Sequence, residues 1–197
     1  MAQQHQVHML TKSALFIALM AVSANLTAFI TVGAVPLTFQ TVIAALAGII
    51  LGKRNGALAI FGYVLLGIFG APVFAGFSGG LQSLLSPTFG FLISFAGVAF
   101  ITGKLTESLA NLTKQSSFFA VFTGLALNYL FGVPYLVLYT GYLSAMNQEA
   151  MTAAALSMIP FFIKDVVFAF ITAGLAYKLR RYRFIQNSFK KESRLIS

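Results

Sequence analysis

Six apolar runs, separated by polar or Gly/Pro-containing connections, occupy most of this chain, and its positive charges are confined to alternate connections. No other feature restricts the possible folds as strongly. The runs fall at about 13–31, 39–51, 57–70, 89–104, 118–142 and 155–177. Lys12, Lys53, Arg54, Lys104, Lys114 and a cluster of Lys178, Arg180, Arg181, Arg183, Lys190, Lys191 and Arg194 flank the runs on one side. The other three connections hold no Lys or Arg, and Lys164 is the one basic residue inside a run. Roughly 20 apolar residues in a helix cross the hydrocarbon core, and spanning proteins concentrate Lys and Arg in their cytoplasmic loops. The expectation is an all-α integral membrane protein with six transmembrane helices and both termini cytoplasmic. It divides into a polar leader at 1–11, a six-helix membrane domain at 12–183 and a basic cytoplasmic tail at 184–197.

Composition excludes several function classes. The chain is 58% hydrophobic and 9% charged, against about 25% charged in soluble domains. The net charge of +9 does not point to nucleic acid, because its lysines and arginines sit at the ends of apolar runs. There is no cysteine, which removes disulfides, thiolate metal sites and thiol nucleophiles. His5 and His8 are the only histidines and lie in the leader, expected to be solvated and disordered, so neither a metal nor a Ser/His/Asp set is expected. The Gly-Lys pair in GIILGKRN lies at a helix end, with glycines four apart and Arg54 in place of Ser or Thr; it is no P-loop. No enzyme chemistry and no cofactor follow from these residues.

The second and third runs are too short to cross, at roughly 20 Å of helix against a ~30 Å core. Loops 32–38 and 71–88 are expected to make up their outer halves. Irregular backbone at membrane depth is tolerated only where protein buries it or a cavity satisfies it. A loop-roofed cavity in the outer half of the bundle is therefore expected.

Lys164 and Asp165 lie together within the last run. Each charge costs about 2.5–3.5 kcal/mol at a helix centre, and intramembrane ionisable groups are functional candidates by default; the alternative is a self-neutralising structural pair. On the fifth run Asn128, Gly132, Tyr135, Tyr139 and Tyr142 share one helical stripe. It rises from mid-membrane to the surface and suits a flat, heteroatom-rich ligand. Tyr142 reads as an interfacial belt residue, and Asn128 as either a ligand contact or a link between helices. On the first run Ala14 and Ala18, four apart, allow close approach of another helix.

The segments VPLTFQT, GKRNGALAI, GYVLLGIFGAPVFAGFSGGLQSLLSPTFGFL, NYLFGVPYL and IPFFIKD, in that order, resemble the BioY family. Its members are the biotin-specific substrate-binding (S) components of energy-coupling factor (ECF) transporters. The resemblance covers about 35–169. It implies a six-helix S component of a prokaryotic plasma membrane that binds its vitamin beneath the first outer loop. It also implies a separate transmembrane coupling subunit and paired ABC-type ATPases as partners, with Ala14 and Ala18 as the docking pair. The family's acidic residue near the start of the last helix falls on Asp165. Where the family often has Asp-x-x-Lys, Phe168 stands here and Lys164 precedes the aspartate instead.

For biotin, Asp165 is expected to accept from the ureido N–H groups, with Lys164 or Asn128 donating to the ureido carbonyl. Phe74, Phe77 and Tyr135 are expected over the thioether ring and valeryl chain, with Tyr139 further out on the same stripe. Gln40, Ser78 or Gln82 would meet the tail carboxylate. The rival expectations are an S component for another vitamin, a self-sufficient carrier, and a membrane scaffold without a ligand.

Overall fold

The computed structural model describes residues 2–32, 35–108, 113–143 and 145–193, with side chains described between 7 and 179 of that range. Helices α1 (Ala2–Asn25), α2 (Gln40–Leu51), α3 (Lys53–Ile68), α4 (Phe89–Glu107), α5 (Lys114–Leu143), α6 (Gln148–Leu156) and α7 (Ile159–Ser193) follow in chain order. A two-stranded hairpin of β1 (Thr31–Val32) and β2 (Val35–Pro36) pairs antiparallel between α1 and α2, with Thr31 opposite Pro36. A 3-10 turn at Leu81–Leu85 precedes α4. Among the described residues, four helical segments are long and apolar enough to cross a membrane: Val7–Asn25, Phe89–Glu107, Lys114–Leu143 and Gln148–Leu179. The helices of the second and third runs are short, as the sequence predicts, at 12 and 16 residues.

Several boundaries differ from expectation, each for a local reason. α1 starts inside the leader, which was expected to be disordered, because no Gly or Pro separates the polar residues from the apolar run. It ends at Asn25 instead of near residue 31, since the Asn25 side chain bonds a distant loop and the next residues turn into the hairpin. The connection before the sixth run is itself helical as α6, which takes in the first residues of that run and breaks at Ser157–Met158 before α7. Pro160 fits the first turn of α7 but its ring clashes with the carbonyl four residues back in a continuing helix. α6 gains its own start from Asn147, whose Oδ1 accepts the Glu149 and Ala150 amides at 2.8 and 3.1 Å. α7 then runs on to Ser193 through the basic tail, where again no Gly or Pro stops it.

α4 is the central helix and packs on α2, α3 and α5. Small residues set its separation from α2: a Cβ on Gly48 would lie 2.0 Å from the Ala99 carbonyl oxygen, the kind of backbone approach that membrane bundles use. Met20, Ala44, Ile60, Tyr63, Val98 and Ala99 fill the core between α1, α2, α3 and α4. A second cluster of Val121, Leu125, Ala169, Ala173 and Ala176 joins α5 to α7. Large apolar side chains also cover the outside, among them Leu58, Phe61, Phe119, Leu130, Phe131, Val167 and Phe170. Helices apolar on both faces belong in lipid.

At one end of the bundle Gly52, at φ +88°, turns α2 into α3. There Glu107 accepts the Lys53 amide at 2.8 Å and pairs with Lys53 Nζ at 3.4 Å. This contact puts the 52–54 turn and the end of α4 at the same end of the molecule. The hairpin, the 71–88 segment and the start of α7 lie at the opposite end, around one cavity.

Candidate functional site

The cavity has a volume of about 220 Å³. Val35 and Pro36 of β2 and Thr38 just after it roof it on one side, and Phe74, Ala75, Ser78 and Ser83 roof it from the 71–88 segment. α2 starts only at Gln40, so the space its missing outer turns would fill is left to these loops. Phe91 and Phe95 of α4 and Phe161 of α7 supply apolar walls. Asn128 and Tyr129 of α5 and Lys164 and Asp165 of α7 supply polar ones.

Asp165 is buried and Lys164 half-buried, and both are engaged by the protein. Lys164 and Asp165 diverge by about 100° around a helix, yet the lysine stem swings back to place Nζ 2.8 Å from Asp165 Oδ1. Nζ also donates to the Thr38 carbonyl oxygen and lies 5.6 Å from the centre of the Phe39 ring. The Tyr129 hydroxyl donates to the other carboxylate oxygen, Oδ2, at 2.9 Å. Asp165 is 7% exposed. A charge so enclosed is stable only with such partners, and Asp165 also lines the cavity.

Asn128, 2% exposed, has two tasks. Its Oδ1 accepts from Ser94 Oγ of α4 at 2.6 Å, tying α5 to α4. The same hydroxyl lies 2.8 Å from the Phe91 carbonyl, a second acceptor within reach of its one proton. The Nδ2 donors have no partner among the described residues, in a side chain that lines the cavity. The Ser83 hydroxyl, in a residue 7% exposed, likewise has none.

Six of the expected ligand residues come together here: Asp165, Lys164, Asn128, Gln40, Phe74 and Ser78. Four do not line the cavity. Phe77, at φ +55°, is 72% exposed at the tip of its loop, where its amide donates to Asn25 Oδ1 at 2.7 Å. Gln82 is exposed and folds back onto the Gly79 carbonyl at 2.6 Å. Tyr135 donates to the Leu84 carbonyl at 3.2 Å, bracing the roof from behind, and Tyr139 stacks on Tyr135 with ring centres 6.5 Å apart. Two of the cavity-lining residues spend their polar groups on the protein. Gln40 Nε2 donates to the Tyr63 hydroxyl at 2.9 Å, which passes its own proton to the Val73 carbonyl at 3.0 Å. Ser78 donates to Ala75 at 2.9 Å. Ala14 and Ala18 are exposed on α1, far from this cavity in sequence and not among its lining.

Tyr129 and Ser83 escaped the sequence reading. Tyr129 is one position off the stripe through Asn128, and only its approach to Asp165 marks it. Ser83 lies in a segment with no periodicity to assign it a face. Among the described residues no three metal-ligating side chains come together.

Comparison with known proteins agrees with this architecture. The chain matches the BioY family over residues 1–184. It is 36% identical over 167 residues to a probable biotin transporter BioY of Pyrococcus horikoshii, covering 85% of this chain and 93% of that one. Against the biotin transporter BioY of Thermotoga maritima it is 35% identical over 172 residues, covering 87% and 95%. Among solved structures it is similar to the crystal structure of the S component for biotin from an ECF-type ABC transporter. That match has a TM-score of 0.73 and 25% identity, over 92% of this chain and 95% of that one. An apolar helical bundle with a loop-roofed polar cavity, aligned almost end to end with these proteins, is a multi-pass membrane protein that belongs to the BioY family.

Proposed function

We propose that this chain captures biotin from the outer side of a prokaryotic plasma membrane as the S component of an ECF importer, and that it is not itself an enzyme. The observation that carries this is the polar end of the cavity. A buried carboxylate, Asp165, is held by Tyr129 and Lys164 beside an amide, Asn128, whose N–H donors have no partner among the described residues. A cyclic urea offers two N–H donors and one carbonyl acceptor. Asp165 takes the donors, and Asn128 Nδ2 serves the carbonyl, since Lys164 is already shared between Asp165 and Thr38. Phe74, Phe91, Phe95 and Phe161 cover the thioether ring and chain, and Ser83 meets the tail carboxylate.

Six crossings with both termini cytoplasmic complete the proposal. The Lys53–Glu107 contact supports it, because it gathers two of the basic connections at the end of the bundle remote from the cavity. The exposed Ala14 and Ala18 on α1 support docking of a transmembrane coupling subunit there, with paired ABC-type ATPases as the energy source. Biotin titration of detergent-purified protein tests the capture role: biotin should raise the melting temperature while thiamine and riboflavin do not. Asp165→Asn should weaken binding by about 2–5 kcal/mol, as expected for one partner of a buried charged contact. A well-folded Asp165→Asn protein with parental affinity would refute the assignment. Uptake by the chain alone in liposomes would favour the self-sufficient carrier.

A further inference from the structure

Residues 37–39 form a strap across the outer end of α2, tied down on two sides. On the α1 side the bonds are numerous. Leu37 N donates to the Ile30 carbonyl at 2.8 Å and Phe39 N to the Ser23 carbonyl at 3.1 Å, while the Thr27 hydroxyl donates to the Leu37 carbonyl at 2.6 Å. On the α7 side, among the described residues, one side chain makes the polar tie: Lys164, through its bond to the Thr38 carbonyl. The same ammonium is ion-paired with Asp165 and seated over the Phe39 ring, which also meets the edge-on ring of Phe168 at 4.8 Å.

We propose that Lys164 is a latch, a positioning residue that closes the strap against α7 over the cavity instead of serving as a ligand contact. The proposal deepens the reading of the cavity as a capture site. Three observations converge on it. The ammonium's donors go to a strap carbonyl and to Asp165, so its hydrogen-bonding capacity is directed at closure and at holding the carboxylate in place. The strap carbonyl it grips belongs to Thr38, itself a cavity-lining residue, so releasing it opens the roof directly. With the α1 side carrying three hydrogen bonds and the α7 side one ammonium, the strap is built to swing from α1 and part at α7. The latch also couples closure to the site, because Asp165 Oδ1 is shared between Lys164 and any donor arriving in the cavity.

The chain has no cysteine, so Thr41→Cys places one thiol in the cavity lining beneath the strap. In ligand-free protein, a polar membrane-impermeant maleimide should label this thiol about tenfold faster when Lys164→Met is added, the effect of losing one charge-assisted hydrogen bond. Lys164→Arg, which keeps a cation and its donors, should label near the parental rate. If Lys164→Met does not fold, Phe39→Leu loosens the seat of the ammonium and should accelerate labelling in the same direction. Labelling at the parental rate in the folded variant overturns the latch. Binding kinetics give the second readout: Lys164→Met should raise both the association and dissociation rate constants for biotin. A lysine that only contacts the ligand would raise dissociation and leave association unchanged, and that result also overturns the proposal. The labelling assay needs no ligand, so its failure is distinct from a failure of biotin to shift melting, which would overturn the capture reading.

Discussion

Tyr129 of α5 and Asp165 of α7 meet at 2.9 Å, hydroxyl to carboxylate Oδ2, across the polar end of the cavity. Thirty-six positions of sequence separate them, and both residues line the cavity. Tyr129→Phe keeps the ring contacts with Phe91 and Phe162 and removes only the hydroxyl. Biotin affinity measured by calorimetry should fall by about 1.5–3 kcal/mol, the worth of a hydrogen bond to a charged group.

Asn128→Leu should weaken biotin binding by about 1–3 kcal/mol through loss of the carbonyl donor. The fold should survive it, because the Ser94 hydroxyl has the Phe91 carbonyl at 2.8 Å as an alternative acceptor. Calorimetry on the variant, with the melting temperature of its ligand-free form as control, checks both halves.

Gln40 is expected to act on stability and not on the ligand's tail. Its amide links α2 through Tyr63 to the Val73 carbonyl in the roof. Gln40→Leu should lower the ligand-free melting temperature, with a cost of about 1–3 kcal/mol for the broken buried chain. It should weaken biotin and biotin amide by the same factor. A loss confined to the free acid would return Gln40 to the carboxylate.

Gly48→Ala tests the helix spacing behind the cavity. The added methyl would lie 2.0 Å from the Ala99 carbonyl oxygen and 2.4 Å from Thr102 Oγ1, contacts that only a shift of α2 from α4 relieves. A destabilisation of about 1–3 kcal/mol or more is expected, read as a lower melting temperature. Gly174→Ala on α7, where the new methyl meets nothing within 4 Å, should leave melting unchanged or raised.

Much of the bundle could be read from the sequence because lipid imposes simple rules on it. Apolar run length and the placement of Lys and Arg locate the helices, and the two short runs point to a roofed cavity whose polar floor includes Asp165 and Asn128. The misses are residues whose position depends on tertiary partners. Whether Asn25 ends α1 depends on a loop fifty residues away, and Tyr129 lies on the face of α5 that only the packing of α7 reveals. Phe77, Gln82, Tyr135 and Tyr139 have suitable chemistry and a suitable neighbourhood, but local turns hold Phe77 and Gln82 outside the cavity, while Tyr135 on α5 bonds the back of the roof and Tyr139 stacks on it. Lys164 was legible as an intramembrane charge. Its reach to Thr38, 126 positions away, was not.

The brevity of α2 has an evolutionary corollary. Twelve residues of helix rise only about 18 Å, so the hollow above Gln40 comes from absent backbone and not from trimmed side chains. Exchanging one lining residue for a larger one narrows such a hollow without abolishing it, and the framework below is spared the penalty. A scaffold of this kind can change its cargo by a few surface-of-the-void substitutions while its helices stay where they are.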